Sequence, residues 1–201
     1  MPLSTYAELQ ASVAGWLNRD DLTAQIRDFI ALTEAQFQRD VRHRNMVKTA
    51  DLTIAARYVD MPADHLKTMR LDCNGNRLTA ISTDDMLERR YTGSAGGQPR
   101  NYAPIGAQLE VFPTPDATYA GSLQYYGKIP ALSVAAPTNW LLEAAPDAYL
   151  YGALLHSAPY LIEDARANTW GGLYGAAVKN LNDTDEMGRW GGNLVIPARR
   201  K

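Results

Sequence analysis

The apolar residues of this chain change period twice, and those two changes limit the folds open to it more than any other feature. Before residue 45 they recur at helical spacing, from Met46 they alternate, and from Asn139 the helical spacing returns. Thr5 and Glu8 stand at capping-box spacing. Tyr6, Leu9, Val13, Trp16 and Leu17 follow, which predicts a helix through about Asn18. Asp20 is placed to cap a second helix with the stripe Leu22, Ile26, Phe29, Ile30, Thr33, Phe37 and Val41. Its last turn carries Arg39, Arg42, His43 and Arg44, the charge that suits the negative end of a helix dipole.

In the middle of the chain Ala50, Leu52 and Ile54 alternate with Thr49, Asp51 and Thr53, and Met69, Leu71 and Cys73 with Thr68, Arg70 and Asp72. Asn74-Gly75 supplies a type I′ turn, so residues 77–81 are expected to return as the second strand of a hairpin. Thr83, Asp84 and Asp85 open a short helix to about Arg90, and residues 92–100, rich in Gly, Ser and Gln, read as a loop. Residues 108–112 and 119–127 are expected to form a further hairpin through Pro113-Thr114-Pro115-Asp116. Together these make a small antiparallel β module.

Helix resumes at Asn139-Trp140, and Pro146-Asp147 is a strong start because proline at the first helical position gives up no hydrogen bond. The helix that follows is apolar almost all round, which calls for cover on more than one side, and it should kink or end at Pro159. Asp164 is placed to cap a fourth helix with Ala167, Trp170, Leu173, Tyr174, Ala177 and Leu181 on its inner face. A lone helical hairpin buries little surface, so the two terminal pairs should pack on each other. The expected fold is α+β: a four-helix bundle (residues 1–45 and 139–187), an inserted antiparallel β module (46–138) and an extended C-terminal arm (188–201). In the arm, Gly191-Gly192 is expected to break the helix and residues 193–196 to form a short apolar strand. That strand either completes the chain's own fold or adds to another subunit.

Composition narrows the function. A formal net charge of −2 gives the whole chain no pull toward nucleic acid or anionic membrane. The arm holds Arg189, Arg199, Arg200 and Lys201 and no acid, which leaves residues 1–187 at a formal −6. Eleven Tyr against three Phe suits surfaces that are wet before assembly and covered after it. The first ten residues carry no cation, and the longest nearly apolar run, 148–155, is far short of the ~20 residues of a membrane span, so a product that is cytosolic when made is expected. The lone Cys73, on an alternating segment, is expected to be a small buried hydrophobe.

Catalytic patterns are scarce. His43, His65 and His156 are far apart in sequence and none falls in a metal-binding spacing. Gly93, Gly96 and Gly97 precede Pro99 rather than the Lys-Ser/Thr pair of a phosphate-binding loop, and Gly93-Ser94-Ala95-Gly96 misses the nucleophile elbow by one position. Neither a metal nor any other cofactor is implied, and the chain is not expected to be an enzyme. Two other classes stay open. One is a small hydrolase using His43 with Asp40, or His156 with a remote acid. The other is a nucleic-acid-binding module using the basic run 39–44 and the arm.

The segment 139–155, Asn-Trp-Leu-Leu-Glu-Ala-Ala-Pro-Asp-Ala-Tyr-Leu-Tyr-Gly-Ala-Leu-Leu, followed by Ala158-Pro159-Tyr160-Leu161, resembles the head-to-tail adaptor (connector) proteins of tailed bacteriophages. The order of elements is similar over nearly the whole chain. The resemblance implies a structural protein of the virion that forms a dodecameric homo-oligomeric ring at the head-to-tail junction. Its partners would be the portal protein on one side and the tail tube or nozzle protein on the other. DNA would pass through the axial channel without sequence-specific binding. Mapped onto this sequence, Trp190, Leu194, Val195, Ile196, Arg199, Arg200 and Lys201 would meet the portal or a neighbouring subunit. Tyr149, Tyr151, His156 and Tyr160 would meet other subunits, and the loop with Gly93, Gly96, Gly97 and Pro99 would face the tail. An acidic body would keep DNA from adhering to a channel wall.

Overall fold

The first helix is closed by its own sequence. The Thr5 hydroxyl accepts from the Glu8 N–H and the Glu8 carboxylate accepts from the Thr5 N–H, which completes the capping box at the start of α1 (Tyr6–Leu17). The computed structural model describes residues 3–93, 96–161 and 164–189. It is an α+β protein that divides into two compact units, Met1–Asn45 with Ile129–Lys201, and Met46–Lys128.

The first unit is helical. α2 (Thr23–Asp40) is not capped by Asp20 as the sequence suggests. Leu22 holds the N-cap position without a side-chain cap, and the neighbouring Asp21 carboxylate is taken up by Arg19 at 2.7 Å. After the other unit, Asn139 caps α4 (Trp140–Ala144) by accepting from the Leu142 N–H at 2.8 Å. α5 (Pro146–Leu161) begins on the expected proline and continues two residues past Pro159, and α6 (Asp164–Arg189) follows. The capping role expected of Asp164 concerns a side chain outside the described ones. α5 packs against α1, α2, α4 and α6, and Ala148, Tyr149, Leu150, Gly152, Ala153, Leu154, Ser157 and Ala158 are all buried. The cover that its apolar circumference requires is thus largely supplied within the chain, with Tyr160 left 53% exposed.

The second unit holds two four-stranded sheets. β1 (Val47–Ile54), β8 (Tyr119–Gly127), β3 (His65–Cys73) and β4 (Asn76–Arg77) lie in that order, all antiparallel. The other sheet runs β2 (Tyr58–Asp60), β7 (Gln108–Phe112), β6 (Asn101–Ile105), β5 (Thr79–Ala80). Asn74 (φ 49°) and Gly75 (φ 77°) make the expected tight turn between β3 and β4. The return strand does not reach Ile81 in that hairpin, however. It leaves the first sheet after Leu78 and joins the second, where β5 pairs with β6 in parallel. Nor do β7 and β8 form a hairpin. β8 lies between β1 and β3 in the first sheet and β7 belongs to the second. Two sheets, one with a parallel pair, therefore replace a single antiparallel module. Ile54, Val59, Leu71, Cys73, Leu78, Tyr102, Leu109, Val111, Leu123 and Tyr125 form the shared core. α3 (Thr83–Thr92) is capped by Ser82, one residue earlier than expected, through the Asp85 N–H.

Candidate functional site

An assembly protein acts through surfaces, and in the helical unit the best-fixed surface features lie where α2 runs into α6. α2 ends at Asp40, and the basic residues that follow it are tied to one side of α6. The Asp40 carboxylate accepts from the Tyr174 hydroxyl at 2.9 Å and from Gln36 Nε2 at 3.1 Å. Burial, with the Asp40 contact next in importance, pushes the Tyr174 phenol well above its usual value. The Asn182 amide accepts from the Arg42 N–H and donates to the Asp40 carbonyl, both at 3.1 Å. Asp185, almost wholly buried, accepts from Arg44 Nε at 2.7 Å and from the Arg44 N–H at 3.1 Å, and His43 Nε2 lies 3.6 Å away. His43 also stacks on Trp140, with ring centroids 5.0 Å apart. Within the run 39–44, Asp40, Arg42, His43 and Arg44 are therefore engaged in intramolecular contacts, while Arg39 is exposed. Asp185 escaped the sequence reading, although an acid at helical spacing from Tyr174, Val178 and Leu181 marks a charge standing on an apolar stripe.

The four residues of α5 assigned to subunit contact separate on inspection. Tyr149 has no exposed surface. Its ring packs edge-on against Phe37 at 4.8 Å, its hydroxyl accepts from Asn139 Nδ2 at 2.7 Å, and it donates to Glu34 Oε1 at 3.3 Å. It is a core residue, placed there because the turn before α4 needs a polar partner inside the unit. Tyr160 is 53% exposed while its ring meets Phe29 edge-on at 5.8 Å. Tyr151 is half-buried against Trp16, itself 53% exposed, at 6.0 Å. His156 shares a hydrogen bond with Gln36 Oε1 at 3.0 Å, and burial, with Arg39 nearby, holds its pKa below the usual imidazole value.

In the β unit the segment around Gly93, Gly96, Gly97 and Pro99 is anchored at its C-terminal half. Gly97 N–H donates to the Thr114 carbonyl, Gln98 Nε2 to the Cys73 carbonyl at 3.1 Å, and Arg100 N–H to the Phe112 carbonyl. Cys73 is buried, as expected of it. α3, just before that segment, is fixed by Glu110, a carboxylate only 2% exposed that the sequence reading passed over. It accepts from Arg57 Nε at 2.7 Å and Arg90 Nε at 2.8 Å, and Arg90 continues to the Val111 carbonyl and the Thr114 hydroxyl. Beyond α3's own anchoring face, Leu87 and Tyr91 stand one turn apart, 52% and 90% exposed.

The arm residues Trp190, Leu194, Val195, Ile196, Arg199, Arg200 and Lys201 lie outside the described residues. The histidines have separate partners: His43 meets Asp185 and Trp140, His65 bonds Thr68 and stacks on Tyr125, and His156 bonds Gln36. The pairing of His43 with Asp40 considered for a hydrolase is not formed, since that carboxylate is engaged by Tyr174 and Gln36. Among the described residues no group of three or more His, Cys, Asp and Glu is placed to hold a metal ion, and no helix is long and apolar enough to cross a membrane.

Among curated proteins, none matches the chain. The family described as SU10 adaptor protein matches residues 4–197, which spans both units. Such a family supports a structural part in a bacteriophage particle, worked out against other head or tail proteins, and points away from catalysis. The chain belongs to the SU10 adaptor protein family.

Proposed function

We propose that this protein is a head-to-tail connector: copies of it form a ring, a dodecamer in this reading, that joins the capsid portal to the tail and leaves a channel for DNA. The observation that carries the reading is the adaptor-family match along nearly the whole chain. In this reading α1, α2, α5 and α6 act as a four-helix bundle that builds the ring wall. Trp16 and Tyr160, each braced by an aromatic ring beneath it and more than half exposed, are the apolar surface that neighbouring copies cover. Tyr151 and His156 sit at the margin of that contact. The loop carrying Gly93, Gly96, Gly97 and Pro99 faces the tail. The arm, residues 188–201, grips the portal or an adjacent subunit, with Trp190, Leu194, Val195 and Ile196 as apolar anchors and Arg199, Arg200 and Lys201 as charged ones.

Electron microscopy of the protein mixed with capsid portals tests this directly. A ring at the vertex is expected, and particles with bare portals at saturating protein overturn it. Deleting residues 188–201 should leave a folded protein that no longer joins the portal. Normal joining by the truncated protein removes the arm from the mechanism.

A further inference from the structure

Where the chain leaves the first sheet for the second, it opens a cleft. β3 and β4 pair only at Asp72–Arg77 and Cys73–Asn76, and the ladder ends with the Leu78 N–H on the Leu71 carbonyl. One residue on, Thr79 and Ala80 turn to β6, so Met69 and Arg70 on β3 lose their opposite strand. A concavity of about 390 Å³ fills the fork, floored by Leu78 and Tyr102. It adjoins a second of about 410 Å³, lined by Asn76, Arg77, Thr79 and Arg100 and sharing Arg77 and Thr79 with the first. The two linings hold Arg70, Arg77 and Arg100 and no carboxylate. Arg70 is paired with Asp72 at 2.8 Å, whereas Arg77 and Arg100 have no side-chain hydrogen bond or ion pair among the described residues and are exposed.

Resting on the connector reading and deepening it, we propose that this fork is a docking site for an extended acidic segment of a partner protein, which adds a strand beside β5 and places its carboxylates on Arg77 and Arg100. Two features select a peptide. The N–H groups of Thr79 and Ile81 are spent on the Arg100 and Tyr102 carbonyls of β6, so by alternation the Ala80 N–H and carbonyl face the open edge, at a spacing that a peptide backbone matches. The floor is apolar, which suits the alternate side chains of a strand and offers a phosphodiester chain no contact of its own. Charge selects an acidic partner. The basic arm of a neighbouring copy, with Arg189, Arg199, Arg200 and Lys201, would set cation against cation. The site also adjoins Gln98 and Pro99, on the face assigned to the tail.

The test uses the full chain, isotope-labelled, with a synthetic peptide of alternating Glu and Val. Saturable amide shifts centred on Met69, Arg70, Thr79 and Ala80 are expected. Affinity should fall about tenfold or more in the Arg77→Glu/Arg100→Glu variant, in proportion to the charge contacts reversed. A similar loss is expected in Ala80→Pro, which removes the edge donor, with folding of both variants checked by thermal melting. An alternating Lys and Val peptide should not bind. Failure of the acidic peptide to shift these amides overturns the proposal, as does equal binding by the Lys peptide. Tighter binding of a single-stranded oligonucleotide at the same residues, indifferent to Ala80→Pro, assigns the arginines to nucleic acid instead. A portal ring formed by a protein whose fork ignores the peptide overturns the fork alone; peptide binding without a ring overturns the connector reading alone.

Discussion

Gly152 of α5 and Thr33 of α2 meet so closely that position 152 has no room for a side chain: a Cβ there would overlap the threonine Cγ2 and lie 3.3 Å from its Cβ. Thr33 is fully buried and its hydroxyl donates to the Phe29 carbonyl at 2.8 Å, so rotating the methyl away costs that bond. This contact sets how near the two helices approach. Gly152→Ala should destabilise the protein by about 2 kcal/mol through overpacking, despite alanine's better helix propensity. In denaturant unfolding, Thr33→Ala should recover much of that loss when combined with Gly152→Ala, because the overlapping methyl is gone. Additive effects in the double variant would mean that the helices are not limited by this pair.

Asn139 joins three parts of the helical unit. Its Oδ1 caps α4, and its Nδ2 donates to the Pro130 carbonyl and to the Tyr149 hydroxyl, each at 2.7 Å. Asn139→Ala removes the cap and leaves the buried Tyr149 hydroxyl and the Pro130 carbonyl without this donor, which should cost about 3 kcal/mol. Tyr149→Phe removes only the hydroxyl and should cost about 1 kcal/mol. Equal losses from the two, measured by chemical unfolding, would mean that neither the cap nor the bond to Pro130 contributes.

The parts of this fold that were legible in the sequence are those decided within one turn of chain. The Thr5 box, the Asn139 cap, the Pro146 start and the Asn74-Gly75 turn each depend on neighbours a few residues away. Strand partnership does not. Pro113 to Asp116 looks like a hairpin turn, yet Leu123 pairs with Ala50 and Leu71, far back along the chain, because the core formed with Ile54 and Leu71 outweighs a local return. The departure after Leu78 was hidden for the same reason: residues 77–81 alternate well enough to finish a hairpin, and only the exposed edge of β6 diverts them. Tyr149 was assigned to a surface because its composition suits one, and its Asn139 partner, ten positions away, could be matched to it only in three dimensions.

Glu110 is the charged centre of the β unit. With Arg57 and Arg90 both on Oε1, and Arg90 also lying over the Phe112 ring at 5.3 Å, the carboxylate ties α3 to the second sheet. Glu110→Ala leaves the less exposed Arg90 beside an apolar core without its counter-ion and should destabilise the β unit by about 3 kcal/mol. Glu110→Gln keeps the shape and one acceptor and should fall between. Amide exchange in α3 and β7 should quicken first in both variants.

His156 gives the helical unit a pH dependence whose sign follows from its surroundings. Burial, with the nearby Arg39 charge second, lowers its pKa in the folded chain below the ordinary 6.5, so the unfolded state takes up its proton first as pH falls. The stabilisation is therefore complete above that unfolded value and is lost as pH drops through it toward the folded one. His65 is lowered by burial as well and adds to the same slope, while Glu34, raised by burial above its usual 4.5, works in the opposite sense: its contribution is present at low pH and fades as pH rises through the folded value. His156→Gln can keep a polar contact with Gln36 and does not titrate. Between pH 7.5 and 5.5 the unfolding midpoint of the variant should fall less than that of the wild type, with His65 contributing to the slope that remains. An unchanged slope would place the titration elsewhere.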